Sequence, residues 1–223
     1  MKKIFATLLL ALIFMGNSFG SSQYKIQMID INHGHDFWQN GYVLYNTDTK
    51  DAIIVDPGKV DSQIEDFINE NQLSVQAIFN THGHGDHVGG NAHYQKQYMV
   101  NIYAHTDEAS NHRTKQIVTF FSENEIPEIP GFKTLKVYHI PGHTSGSIAL
   151  HIADILVTGD TLQKEGIGST PGSTDEDDTK YTHMEINSIK TKLMILPDNT
   201  NVYPGHGYES TIGHECQNNG WLD

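Results

Sequence analysis

Thr81-His82-Gly83-His84-Gly85-Asp86-His87 is the most informative stretch of this 223-residue sequence. Four of its residues form the pattern H-x-H-x-D-H, which would arise by chance in roughly one such chain in a few hundred. Imidazole and carboxylate groups together suit zinc or iron. His82 and His84 are two residues apart in an extended segment, so their side chains project to the same side. Asp86 and His87 follow where the chain turns into a helix, and they can reach a second point a few ångströms away.

Three further candidate ligands follow this cluster, each beside a glycine and at the end of a predicted strand. They are His143 in Pro141-Gly142-His143, Asp160 in Gly159-Asp160-Thr161 and His206 in Gly205-His206-Gly207. A solvated histidine-rich loop would explain the first cluster alone. Five histidines and two aspartates in such settings instead form the inventory of a two-metal site.

Hydrophobic periodicity and turn residues predict an α/β sandwich, because runs of strands alternate with helices. The predicted strands cover residues 24–30, 42–45, 52–55, 75–80, 101–104, 132–140, 147–152, 155–158 and 201–203. The predicted helices cover residues 60–71, a segment beginning near His87, and residues 184–196 and 212–218. The acidic run 175–178 lies in a Gly/Ser/Thr-rich segment and lacks the spacing of a calcium loop, so we predict a solvated loop there.

The first twenty residues have the layout of a secretory signal peptide. Met1-Lys2-Lys3 is a positive start, residues 4–15 form an apolar run too short to span a bilayer, and Ser18-Phe19-Gly20 places small residues before a cut at Ser21. No cysteine follows the run to take a lipid anchor. We therefore predict a signal peptide over residues 1–20 and one domain over residues 21–223, periplasmic or secreted and without membrane anchoring after signal removal.

Charge and cysteine content restrict the partners of the chain. The net charge is −13, and loss of Lys2 and Lys3 with the signal peptide makes it −15. Phosphate backbones repel so acidic a protein, so we expect no nucleic-acid partner. Cys216 is the only cysteine, so no intramolecular disulfide can form.

The order of the motifs resembles that of the metallo-β-lactamase superfamily and, within it, the short glyoxalase II-like (hydroxyacylglutathione hydrolase-like) hydrolases. Val55-Asp56-Pro57-Gly58 resembles the family's early aspartate motif, and Gln39-Asn40-Gly41-Tyr42 resembles its N-terminal strand signature. Thr211-Ile212-Gly213-His214-Glu215 resembles the C-terminal motif of its short members. The resemblance covers essentially the whole predicted mature chain and implies an αββα sandwich with the site at one edge of the paired sheets.

The resemblance also implies a ligand assignment. The ligands of one metal ion are His82, His84 and His143, those of the other are Asp86, His87 and His206, and Asp160 bridges the two. Asp56 matches a position that supports the metal-binding loop in the family. We expect two zinc ions, with iron and manganese as alternatives.

Paired metal ions predict hydrolysis of a small-molecule substrate. Two divalent ions about 3.5–4 Å apart hold a hydroxide near neutral pH, because zinc lowers the pKa of bound water to about 7. One ion polarises the substrate carbonyl. Asp86 is the residue best placed to orient the hydroxide, and we predict that it is catalytic.

The motifs restrict the choice of substrate less than they restrict the fold. Asp160 favours thioesters of the glyoxalase II type, since related β-lactamases with a cysteine-containing second site have cysteine there. Two features argue against glutathione thioesters. Only 17 residues follow His206, too few for the helical domain of typical glyoxalase II enzymes. Short glyoxalase II-like proteins and persulfide dioxygenases often have an Arg-Thr-Asp sequence whose arginine is absent from Gly166-Ile167-Gly168-Ser169-Thr170-Pro171. We rank hydrolysis of thioesters or related acyl substrates first and hydrolysis of β-lactams or lactones second. An iron-dependent persulfide dioxygenase and an inactive metal-binding scaffold rank below both.

The other histidines are given no metal role. His33 and His35 precede a segment expected near the mouth of the active site. We predict that they are solvated loop histidines, and the alternative is that they bind a third metal ion or contact the substrate. The remainder stand singly in the sequence: His93, His105, His112, His139, His151, His183 and His214.

Overall fold

The computed structural model describes residues 22–31, 39–110, 112–113, 116, 118–171 and 174–223. The predicted signal peptide and the histidines His33 and His35 lie outside the described residues, so the predictions made for them stay predictions. Within the described ranges, no helix is long and apolar enough to cross a membrane.

The first sheet has six strands that are hydrogen-bonded in chain order. They are β1 (Tyr24–Asp30), β2 (Asn40–Asn46), β3 (Asp51–Val55), β4 (Ser74–Phe79), β5 (Asn101–His105) and β6 (Val118–Phe121). Strands β1 to β3 pair antiparallel, and β3 to β6 pair parallel. The carboxyl ends of the parallel strands therefore lie at one edge of the sheet, and β4 leads from that edge directly into the histidine cluster.

The second sheet has five strands. Its members are β7 (Lys136–His139), β8 (Ile148–Ile152), β9 (Ile155–Gly159), β12 (Asn201–Pro204) and β13 (Ser210–Thr211), and a small hairpin of β10 (Leu162–Gln163) and β11 (Gly166–Ile167) follows β9. The spatial order is β13-β12-β9-β8-β7, and β9 pairs parallel with β12. Asp160 and His206, which follow β9 and β12, therefore emerge side by side.

Helices cover the outer faces of both sheets. They are α1 (Ser62–Glu70), α2 (Gly85–Val88), α3 (Asn91–Tyr98), α4 (Asp175–Ser188), which continues into a π-helical turn (Ile189–Leu193), and α5 (Ile212–Asn218). Short 3₁₀ turns cover Thr106–Glu108 and Gly220–Leu222.

Side-chain alternation along the strands builds three apolar layers. Tyr42 and Leu44 of β2 pack between the two sheets with residues of β8 and β9, while Val43 between them faces the opposite way. That opposite face packs against α1 and α3, and the outer face of the second sheet packs against the π-helical turn and α5. The order helix, sheet, sheet, helix confirms the predicted α/β class and the αββα sandwich.

The predicted bounds of α4 are wrong. The helix begins at Asp175 rather than at residue 184, so the acidic run 175–178 forms its first turn instead of a solvated loop. The Thr174 hydroxyl accepts a hydrogen bond from the backbone N–H of Asp177 at 3.1 Å, which caps the helix. Carboxylates are favoured in a first turn because they oppose the positive end of the helix dipole.

The strands around residue 130 also differ from the prediction. The strand predicted over residues 132–140 is confined to Lys136–His139. Gly131 has φ +77°, and turns after it bury Phe132 and Leu135 without strand pairing. Strand β6 was not predicted, because it is a short edge strand with little alternation to mark it.

Candidate metal centre

The end of β4 and the loop between β7 and β8 bring three imidazoles together. Nε2 of His82 lies 3.0 Å from Nδ1 of His84 and 3.3 Å from Nε2 of His143, and the last two atoms are 3.1 Å apart. In a neutral imidazole one ring nitrogen carries the N–H and the other presents a lone pair; Nδ1–H of His143 donates to the Ser169 carbonyl at 2.6 Å, so its Nε2 presents a lone pair to the other two atoms. The three atoms converge on one point, as ligands of a metal ion do.

A second group consists of Asp86, His87 and His206. Asp86 and His87 lie on the short helix α2, which begins directly after His84, and His206 follows β12. Oδ2 of Asp86 lies 3.4 Å from Nε2 of His206 and 3.7 Å from Nε2 of His87. The structure thus brings together the same two groups of three residues that the family resemblance implies.

Asp160 lies between the two groups. Its Oδ2 is 3.5 Å from Nε2 of His143 and 3.2 Å from Nε2 of His206, and its Oδ1 is 3.3 Å from Nε2 of His87. Gly205 permits this approach, since a Cβ there would lie 2.1 Å from Oδ1 of Asp160. The position of Asp160 is the one expected of a bridging ligand.

Two buried atoms show that the donor set fits metal ions. Nε2 of His87 and Oδ1 of Asp160 lie 3.3 Å apart, but neither atom makes a hydrogen bond of good geometry with a described residue. A buried polar atom without a partner costs about 1–3 kcal/mol. Divalent ions ligated by imidazole and carboxylate would remove that cost at both atoms.

Asp56 supports the first loop and orients His87. Its Oδ2 lies 3.0 Å from Nδ1 of His87, while its Oδ1 accepts a 2.8 Å hydrogen bond from the backbone N–H of Thr81. The Ser169 carbonyl lies 2.6 Å from Nδ1 of His143 and orients the His143 ring in the same way. Such contacts fix which nitrogen of each imidazole faces the centre.

The electrostatics of the site attract positive charge. Burial, with a contribution from the neighbouring imidazoles, lowers the pKa of His82 and His84, which favours their neutral form. The hydrogen bond to His206 lowers the pKa of Asp86 to about 2. Burial would lower the pKa of His206, but hydrogen bonds with Asp160 and Asp86 outweigh it and raise that pKa to about 10. The carboxylates thus stabilise positive charge where divalent ions would supply it.

Glu108 is a buried carboxylate of the site that no sequence motif marks. One of its oxygen atoms accepts a hydrogen bond from the backbone N–H of Gly83 at 3.0 Å. The other accepts from the Thr144 hydroxyl at 2.6 Å and from the Gly146 N–H at 3.1 Å. Glu108 therefore joins the loop of His82 and His84 to the loop of His143. No local pattern in the sequence marks this role.

Glu185 of α4 is a second buried carboxylic acid that no sequence motif marks. It is fully buried and packs against Gly142, where a Cβ would lie 2.3 Å from its own Cβ. Burial and the charge of Asp160 raise the pKa of Glu185 to about 8, against the opposing effect of the Gly168 and His143 backbone N–H groups. The neutral acid therefore predominates at pH 7.

A cavity of about 1000 Å³ opens beside His84 and His143. Its walls include Asp107, His139 and, from α4, Tyr181 and Met184. The cavity provides room for a substrate next to the candidate metal centre.

His105 and His139, which stand singly in the sequence, pair beside this cavity. Their rings stack with centroids 3.9 Å apart and planes 17° apart, so their in-plane lone pairs do not converge on one ion. Nε2 of His139 also lies 2.8 Å from the Ser145 carbonyl, and Nδ1 of His105 accepts from the backbone N–H of Asp107 at 3.3 Å. Although Asp107 lies near both rings, these contacts favour a structural role over a third metal site.

Comparison with known proteins agrees with this geometry. The family profile described as the metallo-beta-lactamase superfamily matches residues 36–206. The hydroxyacylglutathione hydrolase GloC of Haemophilus influenzae is 32% identical over 206 residues, which cover 84% of this chain and 94% of that protein. The probable polyketide biosynthesis zinc-dependent hydrolase BaeB of Bacillus velezensis is 30% identical, with 82% and 80% covered. The crystal structure of BLEG-1 B3 metallo-beta-lactamase superposes with a TM-score of 0.72 at 29% identity, with 89% of this chain and 99% of that chain covered.

Proposed function

The chain belongs to the metallo-beta-lactamase superfamily and is a metal-dependent hydrolase, and we propose that it uses two zinc ions to hydrolyse thioesters or related acyl substrates. The observation that carries the proposal is the position of Asp160 between two groups of three donors. The similarity to a hydroxyacylglutathione hydrolase supports the substrate class, and the similarity to a zinc-dependent hydrolase supports the metal.

Each group of the site has a distinct role in this proposal. His82, His84 and His143 would hold one ion, Asp86, His87 and His206 would hold the other, and Asp160 would contribute to both sites. When bound, two zinc ions supply a water whose pKa is lowered toward neutrality, and they polarise the acyl carbonyl. Asp56 and the Ser169 carbonyl hold two of the imidazoles in the orientation that ligation requires.

Asp86 is proposed as the catalytic residue. Its side chain is half-exposed, at 51%, whereas that of Asp160 is 9% exposed, so Asp86 is the ligand carboxylate that an incoming water can reach. With a pKa of about 2 it is ionised at neutral pH. It can therefore accept a hydrogen bond from the attacking water and orient it toward the carbonyl.

A second candidate function is hydrolysis of β-lactams or lactones. The similarity to BLEG-1 B3 metallo-beta-lactamase favours it, since that structure matches almost over its full length. The same metal-binding residues would serve β-lactam or lactone hydrolysis, and the shape and charge of the cavity walls would determine which substrate is bound.

The substrate class is tested with the zinc-loaded protein comprising residues 21–223. A lactoyl-glutathione thioester, a chromogenic β-lactam and an acyl-homoserine lactone are compared with wild type, Asp86→Ala and the control Asp66→Asn, which alters an exposed carboxylate of α1. Turnover of the thioester in wild type and Asp66→Asn, lost in Asp86→Ala, is the expected result. Turnover of the lactam or lactone alone would overturn the ranking of substrates.

The metal is tested separately. Metal-free protein is loaded with zinc, iron or manganese, and metal content and turnover are measured together. We expect two zinc ions per chain and the highest kcat/KM with zinc. Higher activity with iron at equal metal content would refute the zinc assignment.

We further propose that the protein acts in the periplasm or is secreted. The positive start, the apolar run and the small residues before Ser21 support export. Cell fractionation followed by N-terminal sequencing should give an exported protein that begins at Ser21. A cytoplasmic protein that retains Met1 would contradict this proposal.

A further inference from the structure

Arg113 is the only arginine in a chain of net charge −13. It lines the cavity beside His84 and His143, and no lysine is among the described residues of that cavity wall. Arg113 is therefore the one residue of the described wall that carries a permanent positive charge.

Backbone contacts hold this residue against the candidate metal centre. The backbone N–H of Arg113 donates to the carbonyl of Gly83 at 3.0 Å, between the two histidines of the first loop. The preceding residue, His112, donates its N–H to the Glu108 carbonyl at 2.9 Å, and its Nε2 lies 3.1 Å from Oδ1 of Asn80. Gly83 permits the approach, because a Cβ there would lie 2.5 Å from Cα of His112.

The Arg113 side chain is available to a ligand. It is exposed and makes no ion pair or hydrogen bond with another residue in the part of the chain that the structure describes. The carboxylate in the same wall, Asp107, instead lies 3.8 Å from Nδ1 of His105 and 3.7 Å from Nε2 of His139.

These observations point to an anionic substrate. A guanidinium presents parallel N–H donors that match the two oxygen atoms of a carboxylate, and it stays charged at every relevant pH. The acyl carbonyl has to reach the candidate metal centre, so the carboxylate bound by Arg113 must belong to another part of the molecule. We propose that Arg113 binds a carboxylate on the thiol portion of an acyl thioester and so selects negatively charged substrates. This inference rests on the proposed thioester hydrolysis.

Matched probes that differ only in charge test the inference. One pair consists of the acetyl thioesters of 3-mercaptopropionate and 3-mercaptopropionamide, and a longer pair uses 6-mercaptohexanoate and its amide. Both pairs are assayed with wild type, Arg113→Gln, Arg113→Lys and the control Lys96→Gln, which removes an exposed positive charge of α3 outside the cavity wall.

We expect wild type to prefer the carboxylate in at least one pair. Arg113→Gln should lower kcat/KM for that carboxylate about 10- to 100-fold, the range for one lost hydrogen-bonded charge, with most of the change in KM. In Arg113→Gln, kcat/KM for the amide thioester should change less than about twofold. Arg113→Lys should recover part of the lost kcat/KM for the carboxylate, and Lys96→Gln should behave as wild type. Equal use of carboxylate and amide by wild type in both pairs, or an equal loss on both in Arg113→Gln, would overturn the inference.

A binding measurement separates this inference from the proposed function. In the matching methyl ketones, a methylene stands between the carbonyl and the sulfur, so they cannot be hydrolysed. Their affinity is measured by calorimetry with the zinc-loaded wild type and with Arg113→Gln. If no thioester is turned over, the proposed function fails. Carboxylate binding by Arg113 is then supported independently of hydrolysis if the carboxylate ketone binds more tightly than its amide only in wild type, and the inference fails if the two bind equally.

Discussion

At the scale of single residues, Asp160 is the side chain on which both groups of donors depend. Its two oxygen atoms face imidazoles from three different segments. Asp160→Asn replaces one oxygen with an amide NH₂, which does not ligate a divalent ion. We expect the zinc content to fall from two ions to one or fewer per chain, and kcat/KM to fall by more than the roughly 10- to 100-fold typical of a change outside the ligand set. Elemental analysis after dialysis, with Asp66→Asn as control, measures this. Retention of both ions would show that Asp160 is not a ligand.

Asp56 should act on the metal through His87. Asp56→Asn keeps the size of the side chain but removes the charge beside Nδ1 of His87. We expect zinc affinity to fall about 10- to 100-fold while both ions still bind at high concentration. Competition with a chromophoric chelator measures the affinity. An unchanged affinity, together with a lower Tm, would assign Asp56 to loop stability alone.

Between elements, Glu108 joins the 3₁₀ turn after β5 to both histidine loops. Glu108→Ala leaves the N–H groups of Gly83 and Gly146 and the Thr144 hydroxyl without their acceptor. We expect the free energy of unfolding of the metal-free protein to fall by about 3 kcal/mol or more. Urea denaturation measures the change, and the exposed Glu70→Ala on α1 should be near neutral. A loss no larger than that of Glu70→Ala would refute the linking role.

The π-helical turn after α4 provides a pH-dependent contact. Nζ of Lys192 lies 3.0 Å from each carboxylate oxygen of Glu123. Burial would raise the pKa of Glu123, but the hydrogen bonds from Lys192 and from the His139 backbone N–H lower it below its ordinary value.

Because the folded-state pKa of Glu123 is depressed, the contact stabilises the protein above the unfolded-state pKa of about 4.3 and is lost as pH falls through the folded-state value. Glu123→Gln should therefore destabilise the metal-free protein by under about 1 kcal/mol at pH 7, and the difference should shrink toward pH 3. Thermal melts across this range measure it, and a difference that grows at low pH would contradict the assignment.

The sequence predicted elements whose signals are local. The bounds predicted for β1 and α5 match the structure, because alternation marks the first and the second follows the Thr211 cap. The start of α4 could not be predicted, because Ser, Thr, Gly and Asp favour both loops and helix N-termini. Only the packed structure distinguishes the two.

In the candidate site, too, features with local sequence signals could be predicted and features that depend on tertiary contacts could not. Six of the seven candidate ligands stand beside a glycine, and His87 directly follows one of the six, so their types and settings are visible in the sequence. The role of Glu108 depends on contacts with residues 25 to 38 positions away, and the pairing of His105 with His139 depends on the approach of two sheets. Tertiary contacts of this kind leave no periodic signal in one sequence.

For the whole molecule, metal binding should stabilise the fold, because the candidate ligands come from both sheets. Binding to the folded state alone adds about 2.7 kcal/mol when free zinc is 100 times the dissociation constant. We expect Tm to rise steadily with free zinc and to fall when a chelator removes it, with a smaller rise for Asp160→Asn. Differential scanning calorimetry at fixed free-zinc concentrations measures this, and a Tm independent of zinc would contradict a shared site between the sheets.

The spacing of the ligands along the chain has a kinetic consequence. Closing the loop between His84 and His143 spans 59 residues, and His206 joins only when the second sheet has paired. Such distant contacts form late in folding, since the entropy of long loops must be lost before they contribute. Zinc should therefore leave the refolding rate nearly unchanged and slow unfolding instead. The metal supply would then set the lifetime of the folded chain rather than the speed at which it forms.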